Sequence, residues 1–252
     1  MKKTACIVLL LVMFLLCSCK QPNNTSAENN DPTKMVDIEY SKKEAQELEL
    51  DRKYSTGDSF TGKEAFNMGE YCVRGIVTDE YELDISYRFA GSPEDESTSH
   101  EIRGILEFKV ADVYGNDKSI KADDTIKLVS QQCSEFQSGF TDVKKGGEYI
   151  FIIKDYANSS EVYTQWSEMK NYADYMIVSP YYMVISKTES GEYDADVFIK
   201  LLTKGGYSSK KFDERKMYSL EEVEEVINSN LGELKGLDKL DIFNARISGN
   251  AS

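Results

Sequence analysis

The chain has 252 residues, 40% of them hydrophobic, and carries a formal net charge of −14 at pH 7. An acidic chain of this kind repels phosphate backbones and anionic headgroups, which argues against nucleic acid and anionic membrane surfaces as partners. Its 16 tyrosines and 11 phenylalanines, against four prolines, are typical of a folded, β-rich chain and not of a disordered one.

The first segment has the three parts of a secretory signal peptide. Lys2 and Lys3 supply a positive start, residues 5–16 form an apolar run, and a small residue precedes Cys19. The run is shorter than the ~20 residues that span a bilayer, although an uncleaved membrane anchor is the alternative. The pattern therefore predicts export, with cleavage after residue 18.

The residues at this cleavage site resemble the lipobox of bacterial lipoproteins, in which a cysteine follows a leucine and two small residues: Leu16-Cys17-Ser18-Cys19. The resemblance implies that Cys19 carries the lipid, becomes the mature N-terminus and anchors the protein on the extracytoplasmic face of the cell membrane. Two or three acyl chains give stable anchoring, whereas one gives only marginal binding. Removal of residues 1–18 takes away two lysines and no acid, so 234 residues remain with a net charge of −16.

Mass spectrometry of the mature N-terminus tests this expectation. We expect a diacylglyceryl adduct on Cys19, because the lipobox cysteine is the residue that receives the lipid in such proteins. A mature protein that still begins at Met1 would contradict both export and lipidation.

Two further cysteines, Cys72 and Cys133, remain in the predicted mature chain. In an exported protein such a pair favours one disulfide, because extracytoplasmic compartments are oxidising. Two buried free thiols are the alternative, since cysteine also behaves as a small hydrophobic residue in protein cores.

Local signals predict a tether followed by three helices. Residues 20–35 are polar and show no apolar period, which is typical of a flexible tether. Capping boxes of the Ser/Thr-x-x-Glu type then mark helix starts at Ser41 with Glu44, Thr61 with Glu64, and Ser219 with Glu222. The first helix is expected to end near residue 50. The third is the clearest, with a stop at Gly232 and an apolar stripe of Leu220, Val223, Val226, Ile227 and Leu231.

Strands are predicted where apolar and polar residues alternate, or where a short apolar run occurs. They are residues 71–78, 84–89, 102–114, 125–129, 149–153, 175–178, 182–186 and 193–199. The run at 149–153 is apolar on both faces, which predicts a central strand. In 102–114, Val113 has the wrong parity, and a β-bulge near residues 111–112 would correct it. In 193–199, Asp194 and Asp196 are expected to face outward.

Several long strands with few helices between them argue against a parallel α/β sheet. They predict a mainly β fold with peripheral helices (α+β), built as a bent antiparallel sheet or a small OB-like barrel, plus a C-terminal amphipathic helix. The predicted organisation is a signal peptide at 1–18, a lipidated flexible tether at 19–36, a single globular β-rich domain at 37–235 and a weakly structured tail at 236–252.

One stretch is similar to a known module. A V-x-G-x-V strand at 73–77 precedes the long strand, and then come Cys133 and a Lys-Gly-Gly-Glu-Tyr segment at 145–149. This order resembles OB-fold-like lipoproteins of Gram-positive bacteria and bacterial relatives of the netrin and tissue-inhibitor-of-metalloproteinases module. The resemblance covers residues 71–154 and implies a fold and not an activity. The inhibitory cysteine of that family is an exposed N-terminal one, whereas Cys19 is expected to be lipidated.

Residues suited to catalysis are scarce. The one histidine, His100, lies at the end of a polar acidic loop, and no G-x-S-x-G, G-x-x-x-x-G-K or G-x-G-x-x-G motif occurs. Zinc sites usually need several His or Cys ligands. Paired acids such as Asp123 with Asp124 are typical of solvated faces in so acidic a chain. The sequence therefore predicts no catalytic residue, no metal site and no cofactor.

The most unusual feature is a set of aromatic residues in and around a polar, irregular segment. Aromatic rings on a polar surface can stack against sugars or peptides. The alternative is that these rings cap the core. The candidate ligand-binding residues are Tyr163, Trp166, Tyr172, Tyr181 and Tyr182.

These features favour a non-enzymatic binding or interaction module, held at the membrane by its N-terminal lipid, with an envelope protein or a glycan as its partner. A structural or accessory envelope lipoprotein is the second hypothesis, and a hydrolase that uses two carboxylates is the third. The two-lobed α/β pattern of a solute-binding protein is missing from the sequence.

Overall fold

The computed structural model describes residues 34–43, 62–93, 98–115, 119–129, 143–156, 168–178, 183–204 and 215–248. The strands in this part of the chain are β1 (Met35–Lys43), β2 (Tyr71–Phe89), β3 (Ser99–Tyr114), β4 (Thr125–Val129), β5 (Glu148–Asp155), β6 (Tyr175–Ile177), β7 (Val184–Lys187) and β8 (Tyr193–Asp194). The α-helices are α1 (Gly62–Asn67), α2 (Asp196–Lys204), α3 (Leu220–Asn230) and α4 (Lys239–Ile247). The protein is mainly β with a few helices, which confirms the predicted α+β class.

The eight strands form one mixed sheet in the order β1-β2-β3-β4-β6-β5-β7-β8. β4 and β6 are parallel, whereas β3–β4, β5–β6, β5–β7 and β7–β8 are antiparallel. β2 also pairs antiparallel with β5, from Tyr71 opposite Ile153 to Ile76 opposite Glu148. The pairings β2–β3–β4–β6–β5–β2 therefore close a circuit. The sheet is not purely antiparallel, because β6 occupies the place between β4 and β5.

β5 is the central strand of the sheet, because it pairs with β2, β6 and β7. Tyr149, Phe151 and Ile153 belong to a first core, shared with buried side chains of β2, β3 and β4. Ile150 and Ile152 belong to a second core, shared with α1, α2 and α3. Both faces of β5 are therefore covered, as the apolar run at 149–153 predicts.

Helix α3 packs on the second core through the stripe that the sequence indicates. Val223 and Ile227 are fully buried, and Leu220, Val226 and Leu231 pack beside them with part of their surface exposed. The helix predicted from Thr61 with Glu64 is α1, whose Ala65 and Phe66 are buried in the same core.

Each end of α3 can be compared with the signal that predicts it. Ser219 and Glu222 make both hydrogen bonds of the capping box, at 3.2 and 2.8 Å. The α-helix ends at Asn230 with Leu231 as its C-cap, which confirms the predicted stop next to Gly232, and a 3-10 turn, Leu231–Glu233, follows it. Leu231 and Leu234 both pack against the second core, which favours this extra turn, and the left-handed backbone (φ 62°) falls on Gly236.

The helix predicted to start at Ser41 is wrong for residues 41–43, which lie in β1. Pairing with β2 outweighs the local capping signal of Ser41 with Glu44, because a strand's backbone hydrogen bonds are worth more than one cap. β1 begins at Met35, inside the range predicted as tether. Residues 44–50 lie outside the described residues.

The gap predicted between residues 78 and 84 is also wrong, because β2 runs without interruption from Tyr71 to Phe89. Two acids of this stretch, Asp79 and Asp84, have basic partners. Asp79 accepts a hydrogen bond from Lys145 Nζ at 2.8 Å, and the nearly buried Asp84 accepts one from Lys43. Pairing with these cations removes the penalty for acids in a strand.

Only the first two residues of the strand predicted at 193–199 form β8, and helix α2 begins at Asp196. Asp196 was expected to face outward but is 1% exposed; it accepts hydrogen bonds from Lys200 Nζ (2.5 Å) and Tyr218 Oη (3.2 Å). A carboxylate at a helix N-terminus is favourable. Val197, Phe198 and Leu201 follow helical spacing, a pattern hidden within the alternation.

The segment 236–252, expected to be weakly structured, contains helix α4. Asp238 and Asp241 form a capping box, and Ile242 is 3% exposed. Arg246 donates to both oxygens of Glu64 in α1, at 2.7 and 2.5 Å. A buried side chain and a two-pronged ion pair therefore hold a helix whose apolar residues are too few to show a clear period.

The chain divides into two compact units. One contains the described residues up to Asp37 and those in Tyr87–Thr98, and within it Arg88 Nη2 donates to Asp37 Oδ2 at 2.7 Å. The other contains Ile38–Ser86 and Ser99–Ser252 and holds both cores. None of the helices in the described ranges has the length and apolar character needed to cross a bilayer.

Candidate functional site

Of the five predicted ligand-binding residues, Tyr172 lies in the described part of the chain. Tyr163, Trp166, Tyr181 and Tyr182 lie outside the described residues, as do Cys19 and Cys133. The surroundings of Tyr172 are therefore where the structure bears on the predicted site.

Tyr172 ends a 3-10 turn, Met169–Asn171, between β5 and β6. The turn is anchored by two buried side chains, since Met169 and Ala173 are 1% and 2% exposed. The Tyr172 N–H donates to the Met169 carbonyl at 2.8 Å, and the Asp174 N–H donates to the Lys127 carbonyl at 2.9 Å. A partly buried aromatic side chain is thus held on a short, well-anchored turn.

The ring of Tyr172 stacks on that of Tyr40 in β1. Their centroids are 5.4 Å apart and the ring planes differ by 17°. Burial raises the pKa of Tyr40, a backbone hydrogen bond from Glu168 opposes that shift, and the Glu168 carboxylate adds to it. The sequence did not single out Tyr40, because a helix was predicted next to it. The alternation of the partly buried Val36, Ile38 and Tyr40 with exposed polar residues is the signal that could have found it.

Tyr81 in β2 lies beside this pair. Its hydroxyl oxygen is buried and has no hydrogen-bond partner among the described residues. Burial, Glu107, Tyr172 and Asp79 raise its pKa, in that order of importance, so Tyr81 is close enough to Tyr172 to interact with it. We call Tyr40, Tyr81 and Tyr172 the aromatic cluster.

A cation already lies on one face of the cluster. Lys42 Nζ is 4.4 Å from the centroid of the Tyr81 ring, a distance typical of a cation–π interaction. Lys42 is two residues from Tyr40 on β1, so both side chains point to the same side of the strand. The cluster therefore combines stacked rings, a buried hydroxyl with no partner in the described part of the chain, and a ring face that holds an ammonium group.

A second polar group of residues, the Glu148 cluster, joins β2, β3, β5, β7 and β8. Glu148 accepts hydrogen bonds from Arg74 Nη1 (2.7 Å), Lys187 Nζ (2.8 Å) and Tyr193 Oη (2.5 Å), and Arg74 also donates to Asp112. Burial opposes ionisation of Glu148, but these donors outweigh it and lower the pKa of Glu148 to about 2. Its charges compensate one another, which is typical of a structural ion-pair network.

His100 lies at the start of β3, with 54% of its side chain exposed. Its Nδ1 is 2.9 Å from Asp84 Oδ1, and Asp84 also pairs with Lys43. Burial acts to raise the pKa of Asp84, but Lys43 and His100 prevail and lower it. Within the described ranges no group of three or more His, Cys, Asp or Glu side chains is placed to hold a metal ion.

Cys72 is fully buried in the second core, and this burial raises the pKa of its thiol. Because Cys133 lies outside the described residues, the disulfide between them stays a prediction. Such a bridge closes a loop of about 60 residues, worth roughly 4 kcal/mol in the chain-entropy model.

Thiol titration in 6 M guanidinium distinguishes the two redox states, because unfolding exposes every cysteine. We expect no reactive thiol before reduction and two afterwards, since the thioether on a lipidated Cys19 does not react. Two thiols before reduction would instead establish the alternative of a buried, unpaired Cys72 and Cys133.

Comparisons of this chain with protein-family models, with curated proteins and with solved structures found no match.

Proposed function

We propose that this protein is an extracytoplasmic lipoprotein, anchored in the cell membrane through a lipid on Cys19, whose β-rich domain is a non-enzymatic binding module. The observation that supports this most strongly is the aromatic cluster, in which Tyr172 stacks on Tyr40 beside the orphaned hydroxyl of Tyr81. Aromatic rings bury a large area at a small entropic cost and are enriched at binding hot spots.

We propose further that the circuit β2–β3–β4–β6–β5–β2 is a small OB-like barrel. Five strands, one parallel pair and closure of the first strand on the fourth support this interpretation. OB-folds bind oligosaccharides and oligonucleotides through their second and third strands and through the loops after the first and fourth strands. The loop after the fourth strand here is the β5–β6 connection, which contains Tyr163, Trp166 and Tyr172.

An envelope glycan is the partner that this chemistry favours. Sugars stack on aromatic rings, whereas nucleic acid would be repelled by a mature chain with a net charge of −16. An anchored protein also meets envelope polymers at high local concentration, so a site of modest affinity is sufficient.

Titration of the purified lipoprotein in detergent with soluble cell-wall glycan fragments tests the proposal. We expect saturable binding that shifts the emission of Trp166, the only tryptophan, and that Tyr172→Ala weakens roughly 30-fold, as expected for loss of a hot spot worth about 2 kcal/mol. Tyr87→Ala, which removes a tyrosine in the other compact unit, should leave the affinity unchanged. Absence of binding, or equal binding by the Tyr172 variant, would rule out this site.

A structural or accessory envelope role is the second candidate. Phe243 and Ile247 lie one turn apart on α4 and are 56% and 71% exposed. Exposed apolar side chains at this spacing favour a contact with another protein. If glycan fragments do not bind, crosslinking of the lipoprotein in the intact envelope is the measurement that examines this role.

The geometry offers less support for a hydrolase with two carboxylates. A general acid needs a carboxyl group whose pKa is raised towards neutrality. Among the described acids, every resolved shift is in the opposite direction: the pKa values of Asp79, Asp84, Glu148, Glu222 and Glu233 are all lowered. These carboxylates are ion-paired acceptors, which suits a binding module.

A further inference from the structure

We infer that the aromatic cluster takes a ligand bearing an alkylammonium group, and that the Lys42 ammonium lies where the ligand's cation binds. This inference rests on the proposed function and names the chemical class of the ligand. Its starting point is the position of Lys42 Nζ, 4.4 Å from the Tyr81 ring centroid. The exposed side chain of Lys42 reaches over a ring of the neighbouring strand, which shows that this ring face accepts a cation.

Acidic side chains lie within electrostatic range of the aromatic cluster. Glu107 and Asp79 are close enough to Tyr81 to raise its pKa, and Glu168 has the same effect on Tyr40 across the cluster. Lys42 in turn contributes to lowering the pKa of Asp79. Asp79 is already paired with Lys145 Nζ at 2.8 Å, so Glu107 and Glu168 are the acids that favour a cation over an anion at this site.

The stacked pair extends this cation site. Tyr40 and Tyr172 stack on each other and are each partly exposed, so the outer faces and edges of the stack offer apolar surface. A ligand that carries an amino group next to a sugar ring or an aliphatic chain would place its cation on Tyr81 and its body on the stack.

Lys42 is an internal competitor in this arrangement. It can leave the ring without unfolding the sheet, because its side chain is long, flexible and exposed. A ligand ammonium that takes its place regains the cation–π attraction and releases Lys42 to water. Loss of the lysine should therefore increase affinity, which is the reverse of the usual effect of removing a contact residue.

The test uses the lipoprotein in detergent and two forms of one probe: cell-wall glycan fragments with free amino groups, and the same fragments after N-acetylation. We expect acetylation to weaken binding at least tenfold. We expect Lys42→Gln to strengthen binding of the amino form roughly three- to fivefold, with no gain for the acetylated form. Lys121→Gln is the matched control, since it removes one positive charge outside the cluster and should change neither affinity.

Two variants of Tyr81 separate the ring from its hydroxyl. Tyr81→Phe keeps the ring face and should retain the preference for the amino form, whereas Tyr81→Leu should abolish it while the protein stays folded by circular dichroism. If both forms of the fragments bind equally well and Lys42→Gln has no effect, while Tyr172→Ala still weakens binding roughly 30-fold, the ammonium inference is wrong and the proposed function stands. If Tyr172→Ala has no effect either, both are wrong.

Discussion

Replacing Ile227 with alanine is expected to lower the melting temperature of the domain by roughly 5 to 15 °C. Ile227 is fully buried in the second core, where α3 meets α1, α2 and the face of β5 that carries Ile150 and Ile152. Truncation of a buried isoleucine to alanine costs about 2 to 5 kcal/mol, because transfer free energy is lost and a cavity remains. For a domain of about 200 residues, each kcal/mol corresponds to roughly 2 to 4 °C.

Thermal unfolding followed by circular dichroism measures this effect. Glu225→Ala is the control on the same helix, because Glu225 is exposed and its replacement should change the melting temperature by no more than about two degrees. Equal melting temperatures for the Ile227 and Glu225 variants would mean that α3 does not dock on the second core in solution.

Replacing Glu148 with glutamine should lower the free energy of unfolding by about 2 to 3 kcal/mol at pH 7. The difference from the wild type should disappear in acid. The pKa of Glu148 is lowered from its ordinary 4.5 to about 2, which corresponds to about 3 kcal/mol of stability. Because the folded pKa lies below the unfolded one, this stability is fully present above pH 4.5. It is lost as the pH falls from 4.5 towards 2.

Urea unfolding at pH 7, 4, 3 and 2.5 follows this dependence directly. The stability curves of the wild type and Glu148→Gln should converge between pH 4.5 and 2, because protonation of the carboxylate does to the wild type what the substitution does to the variant. Glu225→Gln, an exposed acid on α3, should instead follow the wild type at every pH. A gap between the Glu148 curves that stays constant with pH would show that lost packing, not lost charge, destabilises the variant.

Elements with an unambiguous local period could be predicted from the sequence. The apolar run at 149–153 is β5, and the stripe on α3 together with its capping box fixes both the helix and its buried face. Elements that depend on partners far away in the chain could not be predicted in this way. In β2, Asp79 and Asp84 pair with Lys145 and Lys43, which lie far away in the chain, and α4 is held through Glu64.

The candidate site shows the same division. Tyr172 stands out in the sequence because it lies in a polar segment where an aromatic ring needs an explanation. Tyr40 does not stand out, because it adjoins the capping signal of Ser41, which does not start a helix in the structure. Tyr81 does not stand out either, because it lies in the gap between two predicted strands. Only strand pairing brings β1, β2 and the β5–β6 connection together, and no local pattern contains that information.

The closed circuit of strands also sets the order in which the chain can fold. The circuit closes where β2 pairs with β5. In this pairing Ile153 of β5 lies opposite Tyr71 of β2, 82 positions earlier in the chain. Until residues 148–155 have been synthesised, β2, β3 and β4 have no strand to complete their core. Pairing over such distances in sequence is slow, because the loop entropy is lost before the contacts are gained. Chains truncated before β5 are therefore expected to remain unfolded and prone to aggregation, and to need protection until β5 has been synthesised.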